Sequence, residues 1–221
     1  PKEKTIGELL DKASKELKEE NIDTYILDAQ LLLGNVLAKD KLYIITNRDK
    51  NVSLKDEKEY FELIEKRKNK MPIKYILGET EFMGLDFNVE EGVLIPRGDT
   101  EILVEEVLSI INEEDELNVC DLCSGSGAIG ISIANYRKKI NVEEIDFYEV
   151  PEKVTKKNII KHGLESRVKF IKSDLLKEPI NQGKKYDVIV SNPPYIKADE
   201  ISNLMDDVKK YEIGRASCRE R

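Results

Sequence analysis

Asn118-Val119-Cys120-Asp121-Leu122-Cys123-Ser124-Gly125-Ser126-Gly127-Ala128-Ile129-Gly130 changes character twice. A short apolar run reads as a strand, a Ser- and Gly-rich bend follows, and Ile131, Ile133 and Ala134 carry on as a helix. Glycines at such a bend let the backbone pass close to a ligand, and the helix N-terminus presents free N–H groups to it. Gly125 to Gly130 also spells G-x-G-x-x-G, a pattern that dinucleotide enzymes and methyltransferases share, so by itself it selects a fold and not a cofactor. Working outward, the strand Val142–Ile145 ends at Asp146, the strand Val168-Lys169-Phe170-Ile171 ends near Asp174, and the run Asp187-Val188-Ile189-Val190-Ser191 forms a further strand. The order β-α-β-α-β-β predicts an α/β domain whose ligand cleft lies outside the strand carboxyl ends.

The last strand opens directly into Asn192-Pro193-Pro194-Tyr195. Two successive prolines fix φ, lack N–H groups and aim their carbonyls in set directions. The Asn192 side-chain oxygen and the Pro193 carbonyl can each accept a hydrogen bond from one planar NH2 group, with the Tyr195 ring on its face. An amide or aromatic amine is a poor nucleophile, and holding both N–H bonds along a fixed attack direction favours the pyramidal nitrogen of a transition state. That chemistry fits methyl transfer from a sulfonium; the bland alternative is a stiff turn after a strand. Asp121, four residues before the first glycine, and the tetrapeptide together favour S-adenosylmethionine over NAD. Asp146 is placed to bind ribose hydroxyls, with Glu149 a second candidate and a mere surface acid the alternative. Asp174 could meet the adenine amino group.

These residues resemble the protein-(glutamine-N5) methyltransferases that modify peptide chain release factors, over residues from about 5 to 211. The resemblance is carried by Pro72-Ile73-Lys74-Tyr75-Ile76-Leu77-Gly78, Glu81-Phe82, Val93-Leu94-Ile95-Pro96-Arg97 with Thr100-Glu101, the glycine loop, and Ser191 to Tyr195. It implies a class I S-adenosylmethionine-dependent methyltransferase (Rossmann-like) domain, preceded by a helical bundle and a β-hairpin linker. It also implies catalytic roles for Asn192, Pro193 and Tyr195, a substrate contact at Pro194 as well, and cofactor contacts from Cys123, Ser124, Gly125, Ser126, Gly127, Asp146, Asp174 and Asn192. The family's cofactor acid stands twenty-five residues after the acid of its first strand and twelve before an Asn; Asp146 keeps both spacings to Asp121 and Asn158. Cys123 departs from the family, which usually has glycine there. Beyond Glu212 the family continues through a helix and three strands, whereas Ile213 to Arg221 resembles nothing in it. The domain is therefore expected to be C-terminally incomplete, and this tail and the Pro1 start to be non-native.

The expected organisation is a helical substrate-docking domain at 1–71, a hairpin linker at 72–97, a methyltransferase domain at 98–212 and the tail at 213–221. In the first zone Thr5 can cap a helix carrying Ile6, Leu9, Leu10 and Leu17, and Ala29, Leu32, Leu33, Val36 and Leu37 mark a second. Leu42 to Ile45 suggest a short third piece, and Ser53 opens another with Tyr60, Phe61 and Ile64 on one side. Its bland reading is a stabilising lid; the resemblance implies a docking surface for the release factor. With 36 Lys plus Arg against 44 Asp plus Glu, net charge −8 disfavours a phosphate backbone as partner. No apolar run approaches the roughly 20 residues of a membrane span and no secretory signal is visible, so a cytoplasmic setting without membrane contact is expected; the chain is also expected to be a monomer with no direct nucleic-acid contact. Cys120 and Cys123 form C-x-x-C, but only Cys218 and the lone His162 could complete a zinc site, so no metal is expected, and packing is favoured over a redox pair as their role. His162 reads as a helix end before Gly163. Rival functions are glutamine methylation of a ribosomal protein, amino methylation of adenine or guanine in nucleic acid, and a non-enzymatic cofactor-binding or assembly module.

Overall fold

A computed structural model of the chain describes residues 2–193 and Tyr211. Pro194, Tyr195 and the expected tail at 213–221 lie outside the described residues. The chain forms two compact units, Pro1–Leu77 and Gly78–Arg221.

The first unit is helical. A two-residue strand β1 (Lys4–Thr5) leads into α1 (Ile6–Glu19), followed by α2 (Tyr25–Leu37), α3 (Lys41–Thr46), β2 (Asn51–Val52), α4 (Leu54–Lys68) and α5 (Ile73–Leu77). β1 and β2 pair antiparallel. Thr5 closes a capping box: its Oγ1 accepts from the Glu8 N–H at 3.2 Å, and Glu8 Oε2 accepts from the Thr5 N–H at 2.8 Å, an arrangement that stabilises a helix start by about 1 kcal/mol. The side chains of Asp40 and Ser53 cap α3 and α4 by accepting from the N–H groups of Tyr43 and Asp56, without the reciprocal bond. The apolar stripes of α1, α2 and α4 share one core, in which Leu9, Leu17, Leu32, Leu33 and Ile64 are fully buried. Tyr60 is buried with them, and its hydroxyl donates to Ala29 O at 3.0 Å, which removes the cost of an unpaired phenol.

The second unit opens with the hairpin β3 (Glu79–Phe82) and β4 (Leu85–Asn88). Its turn residues, Met83 and Gly84, both have positive φ (52° and 68°), the conformation that matches a tight turn to the twist of its strands. Within the stretch expected to be a hairpin, Ile73–Leu77 is instead the short helix α5. Next come α6 (Gly98–Ile110), β5 (Asn118–Leu122), α7 (Ala128–Tyr136), β6 (Asn141–Asp146), α8 (Glu149–Lys161), β7 (Val168–Lys172), α9 (Lys177–Asn181) and β8 (Val188–Ser191). The expected strand–strand passage from β7 to β8 thus holds a one-turn helix. Ser173 Oγ accepts from the Glu178 N–H at 3.0 Å and holds that turn.

The four strands of the sheet are parallel in the order β7-β6-β5-β8. After β5 the chain builds outward through β6 and β7, then crosses back to place β8 on the other side. The reversal falls between β5 and β8, and ligands of open α/β sheets bind in the crevice at such a switch point, beyond the strand carboxyl ends. Val119, Ile131, Ile133, Val142, Val168 and Val190 form the centre of the core, to which Phe82 and Phe87 of the hairpin and Val104 of α6 are joined.

Candidate active site

The glycine loop leaves the end of β5 through three left-handed residues, Cys123 (φ 64°), Gly125 (φ 59°) and Gly127 (φ 75°). At Gly127 a Cβ would lie 2.9 Å from Thr155 Cγ2 and 3.0 Å from Ile131 Cδ1, so glycine is required there by contact as well as by φ. The loop is tied down on several sides. The Ser124 N–H donates to Ile145 O at 3.0 Å, Gly127 N–H to Ser124 O at 2.8 Å, and Thr155 Oγ1 to Gly125 O at 3.1 Å. Asn158, fully buried, donates through Nδ2 to Ser126 O at 2.9 Å and to Asn88 O at 3.0 Å, and its Oδ1 accepts from the Asn88 N–H at 2.7 Å. One side chain therefore joins the loop to the hairpin; the sequence offered Asn158 only as a spacing marker.

Asp146 at the end of β6 reaches the same loop. Its Oδ2 accepts from the Gly125 N–H at 3.0 Å, while Oδ1 accepts from the N–H groups of Phe147 (2.8 Å) and Tyr148 (3.2 Å). Glu149 points to solvent, its side chain 89% exposed and 3.6 Å from Lys172. Asp174 lies just past β7, where its carboxylate meets Lys177 at 2.5 Å. The ends of these two strands are joined by the Ser173 N–H, which donates to Asp146 O at 3.0 Å.

On the other side of β5, Ser191 is the register partner of Leu122, and its hydroxyl donates to Leu122 O at 2.7 Å. Asn192 and Pro193 follow at once, so the tetrapeptide begins beside the first residue of the glycine loop. Asn192 Nδ2 donates to Thr100 Oγ1 at 3.5 Å, a long hydrogen bond. Thr100 lies in the first turn of α6, where Glu101 Oε1 accepts from the Met83 N–H at 2.6 Å. In the sequence Thr100 carried resemblance without a role, because its meeting with Asn192 joins residues 92 positions apart in the chain.

Residues 8–78 match the PrmC N-terminal domain and residues 98–208 the methyltransferase small domain. Over 202 residues the chain is 55% identical to a release factor glutamine methyltransferase of Clostridium botulinum, spanning 91% of this chain and 71% of that protein. The chain belongs to the release factor glutamine methyltransferase family. A second member, from Clostridium acetobutylicum, is 53% identical over 207 residues, 94% of this chain and 73% of that one. A third, from Fusobacterium nucleatum, is 40% identical over 225 residues, 95% of this chain and 63% of that one.

The methyl donor read from the sequence fits the residues present. A Cβ on Gly125 would meet nothing within 4 Å, so that side of the loop is open to a ligand. Ser124 Oγ is buried with no hydrogen-bond partner among the described residues, an orphan that a ligand can satisfy. Of the roughly four lone-pair sites of the Asp146 carboxylate, three are taken by backbone N–H groups, which leaves one acceptor for a hydroxyl. Cys120 is buried and its thiol is pushed up to about 12, first by burial and then by the charge of Asp121. Held as a thiol, it is a weak nucleophile. His162 caps α8, with Nε2 3.1 Å from Asp86 O, and burial lowers its pKa.

Proposed function

We propose that this chain transfers a methyl group from S-adenosylmethionine to the side-chain amide nitrogen of the glutamine in the Gly-Gly-Gln loop of peptide chain release factors. The observation that carries the reading is the adjacency of two strand ends: β5 delivers the glycine loop, and β8, its register neighbour, delivers Asn192 and Pro193. The bound cofactor supplies an electrophilic methyl on a cationic sulfur. The chain's own residues hold and orient. Ser124, Gly125, Ser126 and Gly127, with Cys123 at the bend, form the cradle for it. Asp146 accepts from a ribose hydroxyl, and Asp174 meets the adenine amino group.

Asn192 donates to Thr100, which turns its carbonyl oxygen into the free acceptor for one amide N–H of the substrate; the Pro193 carbonyl takes the other. Pro194 stiffens the array and Tyr195 stacks on the amide plane. With both N–H bonds held, the nitrogen lone pair is directed at the methyl carbon, and the step gains mainly from orientation. The C–N bond forms as the S–C bond breaks. The nitrogen then carries a positive charge and releases one proton to water, so no general base is needed.

The helical unit at 1–71 serves as the docking surface for the release factor, and the reaction takes place in the cytoplasm with the chain as a monomer. Among the described residues no helix is long and apolar enough to cross a membrane. The net charge of −8 argues against nucleic acid as the methyl acceptor. The test is to offer the protein a release factor, a ribosomal protein and duplex DNA separately, with a labelled methyl donor. Label on one glutamine of the release factor is expected. Label on the ribosomal protein alone would move the substrate within glutamine methylation, and label on DNA alone would contradict the reading.

A further inference from the structure

Beneath the glycine loop two acids face each other. Asp121 of β5 and Glu144 of β6 are register partners in the parallel sheet, and both are fully buried. The helix α7 runs over the face they share, packed so closely that a Cβ on Gly130 would lie 2.3 Å from Glu144 Oε1. Asp121 Oδ2 accepts from the Gly130 N–H at 2.9 Å. Asp121 Oδ1 and both Glu144 oxygens have no donor among the described residues. The groups facing the pair are the Gly130 and Ile131 N–H groups of α7, Phe170 of β7 as the register partner of Glu144, and Asp146, whose charge acts on Asp121. Cys120, on the opposite face of β5, feels both carboxyls but stays a thiol. Two carboxylates in contact in a dry site cannot both ionise, and a shared proton pairs Asp121 Oδ1 with one of the two Glu144 oxygens.

We propose that Glu144 is a positioning residue for the cofactor loop: as a carboxylic acid it donates its O–H to Asp121 Oδ1, and thereby fixes Asp121 Oδ2 on the Gly130 N–H at the start of α7. Asp121 remains the anion, which suits its place at a helix N-terminus. Burial raises Asp121 to about 6, and burial followed by the Asp121 charge raises Glu144 further above its ordinary value. When Glu144 gives its proton to solvent, two adjacent anions repel, the pair parts and the anchor of Gly130 is lost. Cofactor affinity then falls as pH rises through the titration of Glu144. The sign for stability is the same. Both groups hold protons more tightly folded than unfolded, so their contribution is fully present below 3.8 to 4.5 and is lost as pH rises through about 6 and beyond.

Glutamine at this position keeps the shape and offers an N–H to Asp121 but has no proton to lose. The inference rests on the cofactor reading of the loop, so its test includes measurements that need no cofactor. Wild type, Glu144→Gln and Glu144→Ala are titrated with S-adenosylhomocysteine by calorimetry from acid to alkaline pH. Infrared difference spectra of the free proteins and their thermal unfolding are followed over the same range. Wild type should lose affinity about tenfold for each unit above the pair's upper titration. Glu144→Gln should bind like wild type at neutral pH and hold that affinity, and Glu144→Ala should bind about tenfold more weakly or worse throughout. The wild type minus Glu144→Gln spectrum should carry a protonated-carboxyl band that vanishes as pH rises, in step with the loss of affinity. The unfolding temperature of Glu144→Gln should gain on wild type as pH rises. Equal impairment of the Gln and Ala variants, the same loss with rising pH in Glu144→Gln, or no protonated-carboxyl band at the pH where wild type binds fully would each overturn the proposal. If Glu144→Ala does not fold, the comparison of wild type with Glu144→Gln decides. A wild type that binds no cofactor would refute the functional reading, while the infrared and unfolding measurements still decide on Glu144.

Discussion

Cys123 stands in the left-handed region at φ 64°, where a residue with a Cβ is strained by roughly 1–2 kcal/mol. Glycine there would remove the strain and give back about half through its greater freedom unfolded. Cys123→Gly should therefore raise stability by up to about 1 kcal/mol, read as a higher denaturant midpoint at unchanged slope; a lower midpoint would mean that the cysteine side chain is worth more than its backbone costs. Asn158 is the opposite case. Truncating it leaves Ser126 O, Asn88 O and the Asn88 N–H without their shared partner, at about 1–3 kcal/mol for a group left unpaired in the interior. Asn158→Ala should lose about 3 kcal/mol in the same measurement, and a loss below about 0.5 kcal/mol would show that water replaces the side chain.

Elements were legible where their cause is local. The β5–loop–α7 unit could be read because an apolar run, a glycine bend and a helical stripe each leave a signal within a few residues, and Thr5 and Ser53 announced their helices by capping chemistry. The one-turn α9 left none, since five residues have no helical period to detect. The placing of Asn192 beside the loop depends on β8 pairing with β5, a contact between residues far apart in sequence that no local pattern encodes. The same limit hid the tie between α2 and α4. Arg67 Nε donates to Asp28 Oδ2 at 2.7 Å, Arg67 Nη1 to Met71 O at 3.1 Å, and Thr24 Oγ1 to Asp28 Oδ2 at 2.8 Å, with side chains only 12% and 2% exposed for Arg67 and Asp28. Arg67→Ala strands a buried carboxylate and should destabilise the helical unit by about 3–5 kcal/mol. A protease susceptibility that rises within residues 1–77 but not in the second unit is the expected readout; uniform susceptibility would contradict a local effect.

At the scale of the whole molecule, each unit has its own hydrophobic core, and the proposed chemistry sits entirely in the second. Removing residues 1–77 should keep S-adenosylhomocysteine affinity within a few-fold and strongly impair methylation of an intact release factor. Unimpaired methylation would reduce the helical unit to a stabilising element. The central claim, that Asn192 at the end of β8 orients the amide for methyl transfer, is tested most directly by comparing cofactor affinity and kcat in Asn192→Ala. Affinity should stay within a few-fold of wild type while kcat falls by about 10² or more, as for loss of one preorganised polar group that acts in the transition state. A wild-type kcat in Asn192→Ala would make the residue part of a turn and contradict the account.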